Sequence, residues 1–302
     1  ASNNTGVGYN ALTANTTGAS NVAIGASALG GNQTGARNIA IGHNALVVTT
    51  GNNNTAVGHT AMTSNTTGVS NVAVGTYALD ADTTHSFNTA IGYNSLTAQT
   101  GDGYNTAVGS ESMQATTSGA YNVAVGRLAL AANTSGQNNT AIGYTALDAA
   151  TTADWNTAIG YNSMGATTDG AVNTALGAHS LATNTSGPDN AAVGYSALYL
   201  NTTGSSNTAL GREALRANTT ASNNTAIGYR ALYVNTTGAS NVATGFRALQ
   251  ANTTGENNVA VGYDALYSNT TAANNTAVGR DALVLNTTGH SNVAMGRSAL
   301  DA

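Results

Sequence analysis

A chain of 302 residues with only 7% charged residues, no lysine and a formal charge of −5 is too poor in ionic groups for an ordinary globular surface. The sparse, scattered charge gives no electrostatic basis for binding nucleic acid or an anionic membrane. Cysteine is absent, which excludes disulfides and thiolate metal sites, and no apolar run approaches the 18 or so residues of a membrane span.

The chain opens Ala1-Ser2-Asn3, without initiator Met or apolar leader, as expected of a mature segment or an excerpt of a longer protein. From Asn4 the word Asn-(Thr/Val)-Ala-(Ile/Val)-Gly, with a few close variants, appears in 18 copies up to Asn292. The step is 17 residues everywhere except between Asn38 and Asn54, where it is 16. The consensus coil reads N-T-A-I-G-Y-N-A-L-x-A-N-T-T-G-x-S, with its positions counted from the Asn. So short a period cannot hold a helix pair. It predicts an all-β fold, a parallel β-solenoid (β-roll) forming one continuous repeat domain over 1–302, with rungs about 4.8 Å apart.

Three ladders follow from the consensus. Position 1 is Asn throughout, as at Asn21, Asn88, Asn156 and Asn224, and its side chains are expected to hydrogen-bond from rung to rung. Position 5 is Gly, as at Gly25, Gly92, Gly160 and Gly228, which predicts positive φ or a backbone approach too close for a Cβ. Position 9 is always Leu or Met, as at Leu29, Leu96, Met164 and Leu232, an aliphatic column expected inside the coil. Positions 2 and 4 point to one face of the strand and position 3 to the other. Both faces are restricted to small or apolar side chains, so burial on both sides is expected. One side would face the core, and the other either a partner chain or the coil's own turns.

Positions 12–15, Asn-Thr-Thr-Gly, carry turn chemistry, and the deletion in the coil 38–53 falls here. The Asn residues at Asn15, Asn65, Asn201, Asn235, Asn252 and Asn286 also sit in N-x-T/S sequons on turns expected to be exposed. These read either as turn residues or, in a eukaryotic secretory setting, as glycosylation acceptors. The middle coils depart from consensus, with Asp82, Gln99, Thr116, Ala150 and Thr167 at position 12 and the aromatics Phe87, Tyr104, Tyr121 and Trp155 at position 17. Those aromatics fit turn packing or a carbohydrate or protein contact. Toward the C-terminus, position 6 reads Tyr195, Arg212, Tyr229, Phe246, Tyr263, Arg280, Arg297, and position 10 adds Tyr199, Arg216, Tyr233 and Tyr267. Stacked Arg and Tyr staple neighbouring rungs or form a ligand-binding stripe; both readings stand.

The word N-(T/V)-A-(I/V)-G-x-x-(A/S), repeated along the whole chain, resembles the head repeats of YadA-type trimeric autotransporter adhesins and similar repeats of bacterial and phage fibres. The resemblance implies a left-handed roll, three chains side by side, an adhesive role, and a place outside the cell or on a virion surface. Its coil is longer than the usual head repeat, and no stalk, neck or anchor is present in these residues.

No catalytic constellation is visible, and no enzyme activity, cofactor or metal is expected. Of the histidines only His43 and His59 share a coil position on adjacent rungs, and no further ligands accompany them. The functional expectation is an extracellular structural or adhesive fibre segment whose partners are copies of itself, as a trimer or a head-to-tail filament, with a carbohydrate or cell-surface receptor as a further partner. The alternative is an ice-binding solenoid using the turn threonines at positions 13 and 14. The two ends, Ala1-Ser2-Asn3 and Ser298-Ala299-Leu300-Asp301-Ala302, are nearly in phase, which favours continuation into further rungs.

Overall fold

The computed structural model describes residues 1–301, which form parallel three-residue strands and contain no helix. The fold is a β-solenoid with one strand per repeat. Two compact units are present, Ala1–Ala153 and Asp154–Ala302. In the first, nine strands run from β1 (Thr5–Val7) through β2 (Val22–Ile24), β3 (Ile39–Ile41) and β4 (Thr55–Val57) to β9 (Thr140–Ile142). Each pairs in parallel with the next without offset, so that Ala23, Ala40 and Ala56 lie in one row. The 16-residue coil keeps this register because its missing residue falls in the turn. In the second unit nine strands run from β10 (Thr157–Ile159) through β11 (Thr174–Leu176) and β13 (Thr208–Leu210) to β18 (Val293–Met295), and Ala158, Ala175 and Ala192 form the equivalent row.

The coil is thin, and its sequence explains why. Ala at positions 3 and 8, with Ser replacing Ala at some position-8 sites, and Leu or Met at position 9 form most of the apolar interior, where Leu29, Leu96, Met164 and Leu181 are fully buried. The chain turns this tightly by placing several residues per coil at positive φ. Every position-9 residue has φ between 47° and 55°. A left-handed conformation costs a non-glycine residue about 1–2 kcal/mol. Burial of the same side chain offsets this by about 1.5–3 kcal/mol. Branching at Cβ would add to the strain, which accounts for Leu and Met, and never Ile or Val, in this column. Position 5 bends the chain out of the strand. Gly160 has φ +133°, and a Cβ there would sit 2.6 Å from the carbonyl carbon and oxygen of Gly177 on the next rung. Both the conformation and the close approach exclude a side chain.

Asn closes each coil. The Asn21 Nδ2 donates to the Gly35 carbonyl of its own turn at 2.8 Å, and its Oδ1 accepts the Asn38 N–H of the next rung at 2.9 Å. The same pattern repeats along both units, as at Asn71 and Asn241. These bonds satisfy fully buried amides that would otherwise cost the fold dearly.

Of the two coverings expected for the second strand face, the coil's own turns are ruled out. Within one chain the strand is covered on one face only. From β2 onward position 3 is buried, whereas positions 2 and 4 face outward, with Ile24 40%, Leu176 45% and Leu210 46% exposed. The coil's own turns do not cover this face, because they fold back against the position-9 side.

Candidate ligand-binding face

In the second unit, positions 6, 7 and 10 of successive coils build one polar and aromatic face. The bend at position 5 and the left-handed residues at positions 7 and 9 turn these side chains outward at each rung. At position 10, Arg216 lies between two rings, its Cζ 5.2 Å from the centroid of Tyr199 and 5.9 Å from that of Tyr233. At position 6, Arg212 lies 5.7 Å from Tyr195, and Tyr229, Phe246 and Tyr263 stack at 5.3 and 4.9 Å. Position 7 ties the two columns together. Arg230 sits 5.2 Å from Tyr229 and 4.9 Å from Tyr233, while Arg247 reaches Phe246, Tyr263 and Tyr267.

The position-7 charges pair from rung to rung. Arg230 Nε donates to Glu213 Oε2 at 2.6 Å, and Arg247 Nε to Asp264 Oδ1 at 2.9 Å. These carboxylates raise both guanidinium pKa values further above their ordinary range, chiefly through the hydrogen bonds. Arg280 pairs with its neighbour Asp281 at 3.1 Å. Arg212 comes only within 4.0 Å of Glu213. No carboxylate among the described residues forms an ion pair with Arg216. Position 7 was the column that sequence reasoning missed. Its signal is opposite charge 17 residues apart, at Glu213 and Arg230 and again at Arg247 and Asp264.

The position-17 aromatics are placed differently. In the first unit Phe87, Tyr104 and Tyr121 stack face to face at 5.1 and 5.2 Å, in left-handed conformations with φ of 58–65°. Their faces cover one another, which leaves mainly edges to solvent. In the second unit Trp155, also left-handed, is 64% exposed. The substituted position-12 residues Asp82, Gln99, Thr116, Ala150 and Thr167 are all buried. Asp82 accepts from the His85 N–H and contacts His85 Nδ1 at 2.9 Å; burial raises its pKa above the ordinary 3.8, against the opposing pull of His85 and Asn88. Burial likewise raises Asp80 and Asp148. His43 and His59 stack at 5.3 Å, and no group of three metal-binding side chains occurs among the described residues. A cleft of about 250 Å³ at the shortened coil is lined by Gly31, Gln33, Val48, Thr49, Thr50 and Thr66, and carries no charged group.

The sequons are a correction. Asn65, Asn201, Asn235 and Asn252 are fully buried rather than exposed. Each Nδ2 donates to the position-15 carbonyl of its own turn, and from Asn201 onward also to the Asn Oδ1 of the preceding rung, as in Asn201 to Asn184 at 2.8 Å. No glycosylating enzyme can reach these nitrogens in the folded chain. Asn15 and Asn286 are partly exposed, but their Nδ2 groups make the same turn bond. The position-13 threonines are also engaged: Thr66, Thr117, Thr185 and Thr253 each donate Oγ1 to a carbonyl on the following rung.

No protein-family model matches the chain, and no curated protein matches it.

Proposed function

We propose that the chain is a structural fibre segment that associates side by side with copies of itself through the outer faces of its strands. The observation that carries this reading is the uncharged face formed by positions 2 and 4, all Thr, Val, Ile or Leu apart from Ala191 and Met295, and continuous along each unit. Three-residue strands about 10 Å long on nine rungs about 4.8 Å apart give a strip on the order of 400 Å² per unit. Pairing the strips of both units with those of a second copy would remove roughly 1,600 Å², the size of a stable interface. The resemblance of the repeat word to trimeric fibre heads supports three copies, an adhesive role and a location outside the cell or on a virion. Ice binding by the turn threonines has less support, because the position-13 hydroxyls are spent on neighbouring carbonyls.

Light scattering tests the proposal. The 29.8 kDa chain is expected to run at a multiple of its mass, three-fold for a trimer. Leu210→Glu, on an outward side chain, is expected to release single chains with the fold intact. A wild-type chain that stays at 29.8 kDa at high concentration would refute self-association.

A further inference from the structure

We propose that the face around Arg216 in the second unit is a receptor for an acidic polysaccharide, with Arg216 and Arg212 holding its carboxylate or sulfate groups. Several observations on that face converge. The Arg216 guanidinium lies within cation–π range of a ring on each neighbouring rung, Tyr199 and Tyr233. A guanidinium held over ring faces keeps its fork of N–H donors, which suits an oxyanion. The flanking rings also restrict the side chain, so that less freedom is lost on binding. Unlike Arg230 and Arg247, Arg216 makes no ion pair with a carboxylate among the described residues. Arg212, on the same coil, is nearly as free, because Glu213 is held at 2.6 Å by Arg230.

The spacing of the face favours an extended sugar chain. Tyr195, Tyr229 and Tyr263 at position 6, and Tyr199, Tyr233 and Tyr267 at position 10, recur on every second rung. That is a period of about 9.6 Å, roughly the repeat of an extended β-1,4-linked disaccharide. Tyrosine hydroxyls at this interval offer donors and acceptors to sugar hydroxyls, while Arg212 and Arg216, both on the coil that begins at Asn207, hold the acidic group at that rung. Nucleic acid fits less well. The ring faces are occupied by guanidinium groups and by other rings, so bases have no platform on which to stack. The first unit has no aromatic residue at position 10, so the receptor belongs to the second unit alone.

The test is calorimetric titration of the full chain with two acidic β-linked polysaccharides, hyaluronan and chondroitin sulfate, and with neutral dextran, inorganic sulfate and double-stranded DNA. At least one acidic polysaccharide is expected to bind, neutral dextran is not, and inorganic sulfate is expected to compete only at far higher concentration. Arg216→Ala is expected to weaken binding at least tenfold. Arg216→Lys keeps the charge but loses the planar fork, and is expected to recover only part of the loss. Arg37→Ala in the first unit is expected to bind as wild type. Should Arg216→Ala melt early, Arg212→Gln decides the matter, since that side chain is 61% exposed and its loss is expected to weaken binding about threefold. The proposal is overturned if neither acidic polymer binds, if neutral dextran or DNA binds as tightly, or if a folded Arg216→Ala binds unchanged.

Discussion

Alanine at Gly160 and at Gly296 probes how closely the rungs approach, because the two glycines share coil position 5 and differ in their neighbours. Gly160 has φ +133°, and a Cβ would lie 2.6 Å from the Gly177 carbonyl carbon and 2.9 Å from the Ala178 nitrogen. Gly296 has φ +120°, with nothing within 4 Å of an added Cβ. Both substitutions incur the backbone strain of an L-residue in this region, about 1–3 kcal/mol. Only Gly160→Ala also forces a methyl group against immovable backbone, an overpacking cost of about 1–3 kcal/mol more. The expected losses are therefore about 2–6 kcal/mol for Gly160→Ala and about 1–3 kcal/mol for Gly296→Ala. Urea denaturation followed by circular dichroism gives both values on one scale. Equal losses, or a larger loss at Gly296, would mean that neighbouring coils do not meet at position 5, and the account of the bend would fall.

Other expectations concern single side chains. Leu181→Ile should cost about 2–3 kcal/mol, above the 1.5 or so of an ordinary Leu-to-Ile exchange, because a Cβ-branched residue is forced to the φ of 51° found there; Leu181→Met should be close to neutral by the same denaturation assay. Asn201→Ala should cost about 1–3 kcal/mol by stranding Asn184 Oδ1 and removing the acceptor of Asn218 Nδ2, measured by the same denaturation assay, whereas the Gly204 carbonyl keeps its bond from Asn190. Asp82→Asn restores the consensus and should raise stability at pH 7 by about 1 kcal/mol, since it replaces a buried carboxylate with an amide that can bond the turn carbonyl. Asp82 has a folded-state pKa above its unfolded 3.8, so its contribution is fully present below 3.8 and is lost as pH rises through the folded value. Asp80 and Asp148 act with the same sign, and melting curves taken from pH 7 down to 3.5 should show a smaller gain on acidification in Asp82→Asn than in wild type. A variant less stable than wild type at pH 7 would contradict this.

Much of the fold was legible in the sequence because the repeat presents the same physical problem at every rung. One strand per 17 residues, a buried Leu column and a deletion absorbed in a turn all follow from positions that hardly vary. Which of its two expected coverings the outward face takes was not legible, because Val, Ile and Leu at positions 4 and 2 look identical whether they meet the coil's own turns or a partner chain. The sequons were misjudged for a related reason. Asn-Thr-Thr is turn chemistry, but in so thin a coil a turn residue can also be an interior residue, and Asn65 and Asn201 are both. Of the candidate ligand-binding face, the Arg and Tyr columns at positions 6 and 10 could be read directly. The position-7 pairs Glu213–Arg230 and Arg247–Asp264 left a signal in their spacing of 17 residues, but which other Arg side chains those carboxylates reach depends on how side chains meet across rungs.

The hydrogen bonds between coils all run one way at the threonines: Thr185 donates to the carbonyl of Thr202, Thr202 to that of Thr219, and Thr219 to that of Thr236. The asparagines at position 1 run the opposite way, each backbone N–H donating to the side chain before it. A coil therefore has a distinct leading and trailing side, each the complement of the other, and needs nothing from its neighbours that a copy of itself does not supply. An in-frame duplication of one repeat would insert a coil whose donors and acceptors are matched on both sides, and loss of one would reseal without an orphan. Length in such a protein is free to drift under selection for reach, while every added or removed unit remains bound by the same chemistry.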